Sequence, residues 1–160
     1  MKIYECLKWI VVLYLFFLWV TQVLKLSNLL VTDILLENIH IFCPNLNRIH
    51  LHNMFDLTDD SLRSLSKCPK LRVIRISGVS NIASDVTENG LIQLLDNSSA
   101  LELLEVPIVF DLTEDLFSCF KSFSKRNKNN FLRFVCGEKG QQFEDKSRKD
   151  DQKFSIVSKF

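Results

Sequence analysis

The sequence predicts an α/β fold built as a short solenoid, with parallel strands along the concave face and helices on the convex face. Three observations lead there. Near-identical hexamers, FDLTDD and FDLTED, stand at 55–60 and 110–115. Their centre, an aliphatic residue followed by Thr and an acid, occurs four times: Val31-Thr32-Asp33, Leu57-Thr58-Asp59, Val86-Thr87-Glu88 and Leu112-Thr113-Glu114. Successive threonines lie 26, 29 and 26 residues apart. Between them recurs an apolar LxxLxL skeleton: Leu46/Ile49/Leu51, Leu71/Ile74/Ile76, Leu101/Leu104/Val106 and Phe131/Phe134/Cys136. A unit of this length cannot bury its own apolar face, so successive units must stack.

Residues 1–28 precede the repeats. WIVVLYLFFLWV at 9–20 is twelve apolar residues in a row, and Lys8 and Lys25 bracket sixteen residues without a charge. Three readings stand. The segment is an apolar helix capping the exposed end of the stack, a membrane anchor through residues 9–24, or a cleaved signal. A spanning helix needs about 17–25 apolar residues, which the run just misses. A cleavage site needs small residues, and Val20 to Leu24 suit it badly. Val23 to Leu26 also reads as a ragged strand ahead of the first Thr.

Residues 29–136 carry the repeats. Thr followed by acids is a helix start: the hydroxyl accepts a free backbone N–H, and the carboxylates face the positive end of the helix dipole. Apolar residues at helical spacing follow each start: Leu35, Leu36 and Ile39; Leu62 and Leu65; Leu91, Leu94 and Leu95; Phe117, Phe120 and Phe123. The strand triplets alternate as strands with one buried face do. The residues that lengthen the later repeats, 77–85 and 122–130, suit loops. Phe55 and Phe110 are expected between strand and helix. Residues 137–160 are polar and of mixed charge, and are expected to be disordered.

Composition narrows the function. A net charge of +1 gives no global drive toward nucleic acid. Thirteen Phe against four Gly and three Pro argue against a hairpin-rich all-β protein. Five widely spaced cysteines with no CxxC pair make neither a disulfide framework nor a zinc site. Cys43 and Cys68 hold equivalent repeat positions and are expected in the core. His50 and His52 form an HxH pair on one strand face without an evident third ligand. Asp59 and Asp60 are read as helix-start acids rather than an acid–base pair. No catalytic set, cofactor site or metal site is expected, and the chain is read as not an enzyme. Asn97-Ser98-Ser99 is a glycosylation sequon.

CPNLNRIHL at 43–51 followed by LTDDSLRSLSKCP at 57–69 resembles the cysteine-containing leucine-rich repeats of F-box/leucine-rich-repeat proteins. The resemblance covers about 29–136. It departs at Ser98-Ser99, where Cys-Pro would stand, and at Lys128-Asn129 in the last copy. The residues ahead of the repeats lack the polar-punctuated helices of an F-box, so the chain reads as repeats alone or as a shortened relative. The resemblance implies a substrate-recognition domain associated with SCF-type ubiquitin ligases, in cytoplasm or nucleus, with a ligase scaffold as an associated partner. The alternative is a membrane-anchored leucine-rich-repeat binding protein.

The candidate site is the outward face of the strands. If Ile49 and Leu51 point inward, then Arg48, His50 and His52 point outward, with Val73 and Arg75 on the next strand and Leu103 and Glu105 on the third. Arg133 and Val135 are expected outward on the fourth. The cationic start of this face implies a protein partner with an acidic or phosphorylated segment.

Overall fold

The computed structural model describes residues 19–28, 32–54, 57–78, 86–106, 113–127, 132–136 and 154–158. In chain order the elements are β1 (Val23–Ser27), α1 (Thr32–Leu36), α2 (Ile39–Phe42), β2 (Arg48–His52), α3 (Asp59–Ser66), β3 (Val73–Ser77), α4 (Glu88–Asn97), β4 (Leu103–Glu105), α5 (Glu114–Arg126), β5 (Leu132–Cys136) and β6 (Phe154–Ser158). The six strands form one sheet in sequence order, every neighbouring pair parallel.

The pleat sorts the strands' side chains. Leu24, Ile49, Ile74, Leu104 and Phe134 occupy one register position, and Leu26, Leu51 and Ile76 another. These residues share one core with Leu62 and Leu65 of α3, Leu91, Leu94 and Leu95 of α4, and Phe117, Phe120 and Phe123 of α5. One face of the sheet is therefore covered by helices, and no helix among the described residues covers the other, open face. The rings of Phe120 and Phe134 stand 4.7 Å apart, tying α5 to β5. Cys43 and Cys68 are buried in the turns between helix and strand.

The backbone repeats as regularly as the side chains. The carbonyl of Gln22 accepts from the N–H groups of Asn47 (2.8 Å) and Arg48 (2.9 Å). The carbonyl of Asn47 does the same for Arg72 and Val73, and that of Arg72 for Glu102 and Leu103. Just past the strand ends Asn28, Asn53 and Gly78 have φ of 57°, 51° and 92°. This left-handed region suits Asn and Gly. The Asn53 amide donates to Asn28 Oδ1 (3.1 Å). At Gly78 an added Cβ would lie 2.0 Å from Asn53 Oδ1, so only glycine fits there.

Each Thr-acid start works across two units. Thr58 and Thr113 cap their own helices, accepting from the N–H of Asp60 (3.1 Å) and of Asp115 (3.2 Å). The acid after each of the first three Thr reaches the next helix start. Asp33 accepts from the Thr58 hydroxyl (2.7 Å) and from the Ser61 hydroxyl. Asp59 accepts from the Thr87 hydroxyl (2.6 Å) and N–H (2.7 Å). Glu88 accepts from the Thr113 hydroxyl and from the Leu116 N–H (3.1 Å). Thr87 makes no side-chain bond to its own helix; its hydroxyl is committed to Asp59. Gly90 leaves the space: a Cβ there would lie 2.1 Å from Asp59 Oδ1.

Several expectations are corrected. Leu35 is 52% exposed rather than core, because α1 buries Leu36 instead. Residues 122–126 extend α5 rather than forming a loop, since Phe123 continues the buried stripe begun by Phe117 and Phe120. The segment expected to be disordered contributes β6, which pairs with β5. Val135 takes the expected outward register position, opposite Glu105, but is only 4% exposed and lies outside the main core; β6 takes it off the sheet edge. Phe55, Phe110, Phe131 and residues 9–18 lie outside the described residues. Among the described residues no helix is long and apolar enough to cross a membrane.

Candidate functional site

The parallel register lines up the open face into rows. The first holds Val23, Arg48, Val73, Leu103 and Arg133. The second holds Lys25, His50, Arg75, Glu105 and Val135, and the third Ser27, His52 and Ser77. All seven residues singled out from the sequence, Arg48, His50, His52, Val73, Arg75, Leu103 and Glu105, fall on this face. Neighbouring strands stand about 4.8 Å apart, so each row is a line of adjacent side chains.

Charge is ordered along the second row. Lys25 and Arg75 flank His50, and Arg48 stands two residues away on its own strand. Glu105 ends the cationic stretch by pairing with Arg75 (3.4 Å). Arg48 and Arg75 are exposed, while His50 is half-buried between them. Partial burial, then the positive charges of Arg75, Lys25 and Arg48, hold the His50 pKa below the usual 6.5, against a smaller opposing pull from Glu105. His52 has a different environment, its Nδ1 lying 3.2 Å from Ser77 Oγ.

Lys25 was not among the residues singled out from the sequence. Its signal was there: VLKLS at 23–27 alternates as RIHLH and VIRIS do. The apolar run before it hid that alternation.

Among the described residues the side chains with reactive chemistry do not converge. Cys43 lies in the core, on the side of the sheet away from His50 and His52. Burial, reinforced by the neighbouring Cys43, pushes the Cys68 thiol up to about 12. Burial, with Asp96 nearby, pushes Cys119 up to about 11. Thiols so raised stay protonated and unreactive near neutrality. Asp59 and Asp60 diverge, Asp59 to Thr87 and Asp60 to Arg63. Asn97, the sequon residue, lies in α4, where its side-chain amide donates to the Gln93 carbonyl (2.8 Å). Arg126, at the end of α5, pairs with Asp96 (3.0 Å) and donates to the Leu95 and Asp96 carbonyls at the end of α4.

Comparison with family models, with curated proteins and with solved structures found no match.

Proposed function

We propose that this chain is a short leucine-rich-repeat stack and works as a non-enzymatic protein-interaction module, binding an acidic or phosphorylated segment of a partner across the open face of its sheet. The observation that carries this reading is the in-register placement of Lys25, His50 and Arg75 beside Arg48, closed at one end by Glu105. A carboxylate or phosphate laid along the row meets guanidinium groups that offer two-pronged hydrogen bonds. Glu105 repels an anion at its end of the row, which gives a bound segment a preferred placement. The Cys-Pro turns and Thr-acid helix starts support the likeness to F-box/leucine-rich-repeat proteins. By that likeness the partner is a substrate presented to an SCF-type ubiquitin ligase.

An anion over His50 offsets the positive charges that lower its pKa, so binding takes up a proton and tightens as pH falls toward 6. The test uses an immobilised array of acidic and phosphorylated peptides. Wild-type chain is expected to bind acidic members, and Arg48→Glu with Arg75→Glu to lose that binding while circular dichroism stays unchanged, since both side chains are exposed. Full binding by the folded double variant refutes the assignment.

A further inference from the structure

We propose that the β1 end of the stack pairs with the same end of a second copy of this chain, β1 against β1, forming a two-fold dimer with one continuous sheet. This goes beyond the open-face reading and does not depend on it.

The exposed large apolar side chains among the described residues are Trp19, Val20, Val23, Ile34, Leu35, Ile41 and Phe42. None lies beyond Phe42, so all belong to the first unit of the stack and the residues leading into it. Helix geometry gives Leu35 its direction. Asp33 points at α3, where it bonds Thr58. Leu35 follows by two residues, about 200° around the helix, and so faces away from the rest of the stack. Leaving aside Val23, which lies on the open face of the sheet, six side chains at roughly 100 Å² each present about 600 Å², most of the roughly 800 Å² that each partner contributes to a stable interface.

Beside this patch is a sheet edge. Among the described residues β1 ends the strand order and pairs only with β2. No described strand pairs with its other side, whose backbone donors and acceptors are the template on which another strand adds. That edge decides between occupants. A bilayer would cover the apolar side chains but leave the edge's N–H and C=O groups unsatisfied in hydrocarbon. A second β1 supplies both the apolar cover and the hydrogen bonds. Like meets like only in a two-fold arrangement, which also closes at two copies. Stacking one copy's β1 end on the other end of the next copy would set its apolar side chains against an end with no exposed large apolar side chain among the described residues. The two-fold runs the strands antiparallel. A register centred on Leu24 or Leu26 sets Lys25 opposite the partner's Val23 or Ser27 and keeps the two ammonium groups apart.

The test is the mass of the full chain in detergent-free buffer, by light scattering across a dilution series. The expected result is twice 18.6 kDa, falling to 18.6 kDa at high dilution. Leu35→Glu combined with Ile41→Glu and Phe42→Glu is expected to give the single-chain mass at every concentration with unchanged circular dichroism. Amide exchange on wild type provides a readout that needs no variant: β1 amides are expected to be protected at high concentration and to exchange on dilution, with β2 and β3 protected throughout. Three results overturn the proposal. One is a single-chain mass for wild type at all concentrations, which assigns the patch to the chain's own residues 1–18 or to another protein. Another is flotation of a single-chain species with phosphatidylcholine vesicles, which assigns it to lipid. The third is a dimer that survives the triple substitution.

Discussion

The two ends of this sheet receive the same kind of repeat and finish it differently. At one end, β1 has a described neighbour on one side only, and the helices α1 and α2 leave Leu35, Ile41 and Phe42 exposed. Toward the other, α5 runs for thirteen residues and buries Phe117, Phe120 and Phe123. β5 is covered in turn by β6, and Arg126 seals the end of α4. A repeat specifies the surfaces between units because each unit there meets a copy of itself. It leaves its last surfaces to be solved individually. Here aromatic mass and an added strand finish one end, and the described residues of the other leave apolar side chains exposed. The regular middle, with its Asp33–Thr58 and Asp59–Thr87 links, stands between them.

Truncating an aromatic residue at each end breaks the comparison most directly. Phe120→Ala is expected to cost about 3–5 kcal/mol, because the ring is fully buried against Phe134 and leaves a cavity. Phe42→Ala, in chain diluted to a single copy, is expected to cost within about 0.5 kcal/mol because the ring is already half in solvent. Urea unfolding of both variants measures the difference, and equal losses would show that the ends are equally packed.

The middle of the stack gives the next effect. Gly→Ala inside a helix normally stabilises by about 0.5–1 kcal/mol. At Gly90 the sign is expected to reverse, with a loss of about 1–2 kcal/mol, because the methyl group expels the Asp59 carboxylate and strips Thr87 of its acceptor. Asp59→Ala is expected to cost a similar amount, and the double variant little more than either alone, since both remove one link. Additive losses would mean that Gly90 and Asp59 act separately.

The smallest effect belongs to the open face. The His50 pKa is lowered in the folded chain, so the unfolded chain holds more protons below the usual 6.5. Stability is therefore full above that value and declines as pH falls through the folded pKa. His50→Asn is expected to flatten this slope slightly, with no change at pH 8. A proton NMR titration is expected to place His50 below 6.5 and to move it upward in Arg75→Gln. An unmoved midpoint would remove Arg75 from the site.

Much of this was legible from the chain because local chemistry carries it. The inward Ile49, Leu51, Ile74 and Ile76 and the outward Arg48, His50 and Arg75 follow from alternation within a single strand, which five consecutive residues suffice to show. Thr58 and Thr113 as helix starts follow from bonds to a residue two positions on. The tertiary structure alone decided that Asp33, Asp59 and Glu88 serve the helix of the following unit, because the acceptor and donor are 25 or more residues apart and meet only when units stack. It likewise decided that Gly90 must be small, that β6 arises in a polar segment, and that Val135 is buried. Each depends on what lies alongside in space. A repeat announces its period in the order of its residues, while the partners across the stack and the cover at its ends exist only once the units are side by side.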